Sequence, residues 1–352
     1  MHKSILKFGL IALLAITSIA VQAQQDPYYS HFKFNKQAYN PATVGEKDEY
    51  ICLSAIAHNQ WLGFDDRTWI DRQSGEPVAG GELTENVAPV TFNFNINGQI
   101  RSNEGRKLHG GIGLSVFDDR VGFMKTTAFK LQGAYFIPVQ GNFARVSLGV
   151  DVGFTQFGYV NSQFRFRQPN DPRIPIGNVN DAKLDLGFGA YYKQKRLTGN
   201  IEDFYAGVSL SHLNGANYNL VYQGGSSPFY LAEHIYVGTG ATIFLQNPAF
   251  ELEPALLIKY NSKLQFDLNA TIKYNGTLRG GLGYRQYGTT DALTVLLGYI
   301  RNELQVGYSY DITLSKIRTV SSGTHEVFVG YCFQLKAPEP PPGRYYRGTR
   351  WL

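Results

Sequence analysis

Residues 263–274, Lys-Leu-Gln-Phe-Asp-Leu-Asn-Ala-Thr-Ile-Lys-Tyr, change polarity at every step. Leu264, Phe266, Leu268, Ala270, Ile272 and Tyr274 fall on one side; Lys263, Gln265, Asp267, Asn269, Thr271 and Lys273 fall on the other. Only an extended strand turns successive side chains to opposite faces, so the pattern predicts a long β-strand with one apolar face. Soluble strands usually run to roughly 5–6 residues, whereas a tilted strand crosses a bilayer in roughly 9–11.

The same alternation recurs along the chain. With the turn signals it predicts about fourteen strands, at 50–59, 89–98, 109–117, 126–137, 143–155, 184–193, 203–212, 233–245, 249–260, 263–274, 277–287, 291–300, 303–313 and 324–333. The cleanest faces are Val90/Phe92/Phe94/Ile96, Val146/Leu148/Val150/Val152/Phe154 and Leu304/Val306/Tyr308/Tyr310/Ile312. Strand 291–300 is apolar on both sides. Connections after odd-numbered strands include the long stretches 60–88, 156–183 and 213–232. Those after even-numbered strands are short: Pro138 to Asn142, Gln246-Asn247-Pro248, Asn275-Gly276 and Arg301-Asn302. Asn275-Gly276 is a strong two-residue hairpin signal. Outer-membrane barrels sort their loops in this way, with short periplasmic turns and long outer loops; a soluble sandwich has no reason to. The chain therefore reads as all-β, a transmembrane outer-membrane β-barrel of about 14 antiparallel strands with both termini periplasmic.

The start of the chain agrees. Lys3 and Lys7 flank an apolar run, Phe8 to Ala20, followed by Val21-Gln22-Ala23. This is a signal peptide, residues 1–23, with cleavage expected between Ala23 and Gln24. The run is too short for a spanning helix, and no stretch of eighteen apolar residues follows. The exported chain is then either a soluble extracytoplasmic protein or a closed barrel.

Composition adds less. Aromatic residues make up 14% of the chain, with 23 Tyr and 23 Phe, as membrane-interface girdles require. The net charge of +5 includes Lys3 and Lys7, which leaves no basic patch for nucleic acid. The polar strand faces carry both signs, among them Arg145, Asp151, Asp185, Glu253, Lys259, Asp267, Lys273, Arg279, Arg285, Asp311 and Glu326. A selective ion pore would show one dominant sign, so mixed charge favours a filled interior.

Residues 24–49 lack alternation and are expected to fold into the lumen or lie across its periplasmic mouth. The barrel spans 50–333. A tail, 334–352, carries Pro338, Pro340, Pro341 and Pro342, then Arg344, Tyr345, Tyr346, Arg347, Arg350 and Trp351. A proline spacer followed by Arg and aromatic residues suits a docking peptide, and a disordered tail is the alternative. The first outer loop carries Trp61, Asp65, Asp66, Arg67 and Trp69, either as a binding surface or as a loop packed on itself. Cys52 and Cys332 fall on the first and last strands, both inward and near one rim, placed either to bond across the seam in an oxidising compartment or to stay as two buried thiols.

Enzyme chemistry is not expected. His325 and Glu326 are neighbours on a strand and face opposite sides. The other His have no metal-ligand spacing, and no cofactor is implied. Gly110-Gly111-Ile112-Gly113 sits inside a strand with no helix to receive a phosphate, so it is expected to let side chains or an inner segment pack close to the wall.

A set of motifs then carries a resemblance. They are Gln25-Asp26-Pro27, Asn40-Pro41-Ala42 with Gly45, Asn59-Gln60-Trp61-Leu62-Gly63-Phe64, and Asp118-Asp119-Arg120-Val121-Gly122. The most specific are Gly307-Tyr308-Ser309-Tyr310-Asp311-Ile312-Thr313-Leu314-Ser315 and Ser322-Gly323-Thr324-His325-Glu326. In this order the chain resembles the PorP/SprF family of type IX secretion outer-membrane proteins of Bacteroidetes-type bacteria. Stretch 66–104 looks longer than the family norm, and the Pro-rich tail is atypical. The resemblance implies a non-enzymatic barrel that anchors or recognises a secreted adhesin or other cargo, sometimes in gliding motility, and contacts periplasmic ring lipoproteins. The alternative is an outer-membrane transporter or porin for small or hydrophobic solutes.

Overall fold

The computed structural model describes residues 26–334 apart from 65–67, 71–76, 80–87, 102–106, 123, 140–142, 160–177, 223–224 and 288–289. The expected cleavage site at Ala23 and Gln24, the loop residues Asp65, Asp66 and Arg67, and the tail from Arg344 to Trp351 lie outside the described residues. Among those described, no helix is long and apolar enough to cross a membrane.

Fourteen strands form the wall: β1 (Tyr50–Asn59), β2 (Val90–Arg101), β3 (Lys107–Val121), β4 (Met124–Val139), β5 (Ala144–Tyr159), β6 (Val179–Lys195), β7 (Ile201–Ser211), β8 (His234–Phe244), β9 (Phe250–Tyr260), β10 (Leu264–Tyr274), β11 (Leu278–Tyr287), β12 (Thr290–Arg301), β13 (Leu304–Thr313) and β14 (Thr324–Gln334). They pair in chain order, and β1 against β14 closes the barrel in antiparallel register from Tyr50↔Gln334 to Asn59↔His325. Closure leaves no unpaired edge in the wall, which a lipid solvent demands because it cannot satisfy free backbone groups. Two small hairpins, 68–79 and 217–230, lie in the connections and outside the wall.

Burial along the strands is inverted relative to a soluble sheet. In β10, Leu264, Leu268, Ala270 and Ile272 are exposed while Gln265, Asp267, Asn269 and Thr271 are buried. The apolar face looks outward to lipid and the polar face inward. Strand β12, apolar on both sides, resolves in the same way: Leu293, Val295, Leu297 and Tyr299 point outward, and Leu296 points inward beside Phe34 and Phe328.

Strands β3 to β6 run to 15, 16, 16 and 17 residues, longer than the alternation marked. The end of β5 shows why. Past Thr155 the pattern reverses, with Gln156 exposed and Phe157 and Tyr159 buried. Phe157 and Tyr159 pack with Ala216, Tyr218 and Leu231 of the 212–233 connection. Here the strand has left the apolar slab, so its outward residue is polar and its inward ones join a small aqueous-type core.

The barrel has a loop end and a turn end. Residues 26–49 enter at the loop end, where Asp26 meets His212, His234 and Tyr236. They descend through the lumen as an irregular chain with two 3-10 turns, Lys36–Ala38 and Pro41–Thr43, and reach β1 at the turn end. The last described residue, Gln334, is at the turn end. The described residues thus start and finish at opposite ends of the barrel.

Candidate functional site

The lumen is built by two partners, the polar inner wall and the threaded segment. Its loop-end seat is Glu326 of β14, which is 1% exposed. Its carboxylate accepts the backbone N–H groups of Ser30 and His31 at 2.8 and 2.7 Å. It also accepts the Nδ1 of His31 and of His58, each at 2.8 Å. Beside it, Arg285 of β11 forms an ion pair with Asp267 through Nε, with Asp311 at 2.5 Å, and with Ser30 Oγ at 3.1 Å. The charged guanidinium is therefore neutralised by carboxylates on β10 and β13 and tied to the inner segment at once. Buried ionic groups of this kind persist only when their partners are all present.

In mid-lumen the segment touches the strand backbone itself. Gln37 donates to the carbonyls of Ile96 and Leu114 and to Gln132 Oε1 at 2.7 Å. Asn40 donates to Ala190 O on β6 and Val208 O on β7, at 3.1 and 3.2 Å. These approaches need a bare wall. A Cβ on Gly149 would collide with the backbone of Ala42, and one on Gly111 with the backbone of Val44. Gly111 and Gly113 of the Gly110–Gly113 run thus serve close approach of an inner segment. On the opposite side Tyr29, Phe32 and Tyr39 pack with Ile56, Tyr236, Leu257 and Phe328 into an apolar core inside the barrel.

At the turn end Glu46 is bound by Lys36 at 2.5 Å, Lys193 at 3.3 Å and the Tyr191 hydroxyl at 2.8 Å. Burial by itself would raise the Glu46 carboxyl, but the Lys36 and Lys193 charges outweigh it and hold the group well below the usual carboxylate range. Lys33 lies beside Glu253 at 3.3 Å. Lys47 meets Glu303 at 2.6 Å, and Arg145 meets Asp48 at 3.2 Å.

Asp26 forms a further clasp. His212, one residue beyond β7, bonds Asp26 through Nε2 at 2.9 Å and Asp185 through Nδ1 at 2.9 Å. His234 donates Nδ1–H to Ala232 O at 2.9 Å, and its Nε2 lies 2.9 Å from the Asn261 amide. The ligand atoms of Asp26, His212 and His234 lie within 4.8 Å of one another. Every ring nitrogen of the two histidines already has a protein partner, so the set acts as a hydrogen-bonded lock between segment and wall. Burial raises the Asp26 carboxyl, and the charges of His212, His234 and Lys259 outweigh that and hold it well below its ordinary value. Neither this cluster nor Glu326–His31–His58 was marked by the sequence, because each carboxylate lies 186 to 295 residues from its histidines.

Among the described residues the lumen keeps a vestibule at each end. A loop-end cavity of about 380 Å³ is lined by Tyr28, His58, Trp61, Asp119, Arg285 and Asp291 among others. A turn-end cavity of about 420 Å³ is lined by Lys36, Glu46, Lys193, Glu303 and both cysteines. They share no lining residue, and between them lie voids of only about 20 and 40 Å³, each with room for a water or two.

Of the sequence-marked residues, Cys52 and Cys332 are register partners on β1 and β14, Cα–Cα 4.0 Å, with their sulfurs bonded. Trp61 sits on the rim of the loop-end cavity, its N–H donating to Thr324 Oγ1 at 3.1 Å. Trp69 belongs to the strand 68–70. His325 and Glu326 face opposite ways: His325 packs outside with Tyr308 and Tyr310, and Glu326 lies inside.

Comparison with known proteins adds the following. The family described as type IX secretion system membrane protein PorP/SprF matches residues 21–331. No curated protein sequence matches the chain. Among solved structures, the Ralstonia pickettii toluene transporter TbuX is similar with a TM-score of 0.50 at 13% identity, over 85% of this chain and 93% of that one. The Pseudomonas putida toluene transporter TodX gives a TM-score of 0.46 at 10% identity, over 84% of this chain and 92% of that one. At 13% identity the likeness to TbuX shows the outer-membrane barrel fold alone.

Proposed function

This chain belongs to the PorP/SprF family of type IX secretion system membrane proteins, and we propose that it serves that system as an occluded outer-membrane anchor. The observation that supports this reading is the threaded segment 26–49, which fills the lumen and divides it into two vestibules. A barrel whose interior is tied off by buried ion pairs offers surfaces for recognition at its two ends. With the short turns in the periplasm, the loop end faces outward. There the cavity and the outer connections, including the loop from Trp61 to Trp69, hold a secreted adhesin or the terminal domain of another cargo. At the turn end, the Lys47–Glu303 rim and the Arg- and aromatic-rich tail dock periplasmic ring lipoproteins. The buried carboxylates and histidines work as structural ties in this account, and the role is non-enzymatic. Export uses residues 1–23.

The test is affinity purification of the detergent-solubilised protein from its native membrane, with and without residues 338–352, followed by mass spectrometry. Secretion-machine lipoproteins or a large adhesin should co-purify, and loss of the lipoproteins on truncation assigns their docking to the tail. A partner-free barrel that conducts small solutes would overturn the reading in favour of a transporter.

A further inference from the structure

The loop-end cavity has an unusual imbalance of hydrogen-bonding valences. Arg285 lines it, but its charge is neutralised by Asp267 and Asp311, and each of its three nitrogens already donates, to Asp267, Asp311 and Ser30. The open valences at His58 and Asp119 are acceptors. His58 is 2% exposed, and its Nδ1 faces the Glu326 carboxylate. A carboxylate can only accept, so Nδ1 carries the proton and Nε2 presents a bare lone pair in the neutral ring. That Nε2 has no protein partner and belongs to a residue lining the cavity. Asp119 takes a hydrogen bond from Thr91 Oγ1 at 2.6 Å, and no Lys or Arg among the described residues pairs with it. Between these acceptors the wall is apolar and aromatic, with Trp61, Val121, Met124 and Phe157.

We infer that this vestibule is a binding site for a cationic hydrogen-bond donor on an apolar stem, the side chain of an Arg or Lys in a peptide entering from the loop end. Acceptors at His58 and Asp119 satisfy the cation, and the aromatic wall covers the stem and favours the charge over the Trp61 face. A cavity of about 380 Å³ holds on the order of a dozen waters, more than one side chain displaces, so residues flanking the cation have room beside it. A carboxylate or phosphate ligand would meet the Asp119 carboxylate, with the Arg285 charge already neutralised by Asp267 and Asp311. The inference rests on the anchoring reading only for whose peptide it is; the cavity chemistry stands without it.

The experiment is calorimetric titration of the purified full chain in detergent with acetyl-Leu-Arg-Leu-amide, its citrulline analogue and free agmatine. The Arg peptide should bind, the uncharged citrulline peptide about tenfold or more weaker. Asp119→Asn should weaken the Arg peptide about fivefold. Asp181→Asn, which removes an exposed charge paired with Lys183, should leave it unchanged and so separates the site from general surface charge. Absence of Arg-peptide binding, equal binding of both peptides, or indifference to Asp119→Asn would overturn the site. Agmatine binding as tightly as the peptide would overturn the peptide assignment and leave a site for free organic cations. A failed co-purification, by contrast, bears on the anchoring reading and leaves these titrations intact.

Discussion

Glu326 shows how single residues fasten this molecule. It gathers four donors from two distant stretches of chain, and none of them is satisfied elsewhere through the same atom. Glu326→Gln keeps the shape but removes the charge and turns an amide against those donors. The variant should lose on the order of 3 kcal/mol in a reversible unfolding assay, with the segment around His31 becoming accessible to protease. His212 supplies a pH dependence. Burial opposes its charging, yet Asp26 and the bonds from Asp185 and Asp26 outweigh burial and the repulsion of Lys130, raising it to about 9. His234 packs edge-on at 5.7 Å. A group raised on folding stabilises fully below its unfolded value, about 6.5, and the benefit is lost as pH rises through about 9. Denaturation midpoints between pH 6 and 10 should therefore fall more steeply for the native chain than for His212→Gln. At this scale the sequence told which face each residue takes, as with His325 out and Glu326 in. It could not tell who meets whom, since His31 and Glu326 are 295 residues apart.

Among the elements, the strands were the most readable part, because lipid on one side and water-like polar groups on the other impose a strict period of two. All fourteen expected strands are present in the expected order. The signal failed where the environment changed: at the end of β5, where polarity reverses above the apolar slab, and at Leu296, an apolar inward residue that makes sense only opposite Phe34. The inner segment was readable only as a stretch without alternation, since its order comes from contacts to at least seven strands and from no periodicity of its own. The glycines in the wall were its one local trace. Gly149→Leu places a side chain where Ala42 lies; it should cost roughly 1–3 kcal/mol by overpacking and expose Lys33 and Lys36 to trypsin, while heat-modifiable gel mobility still reports a closed barrel.

For the whole molecule, mixed charge on the inner faces pointed to a filled interior, and the structure shows what does the filling. Opposite charges pair within the wall, as in Lys130 with Asp151 and Asp185 and Glu253 with Arg279, and between wall and segment, as in Glu253 with Lys33. Such pairs cost desolvation and are retained only as complete networks, so opening a passage would require breaking several together. The most direct test is single-channel recording in planar bilayers of the full chain beside a variant lacking residues 26–45. The account predicts a silent full-length barrel and a conducting deletion variant. Steady conductance of the full chain, equal to that of the deletion, would contradict it.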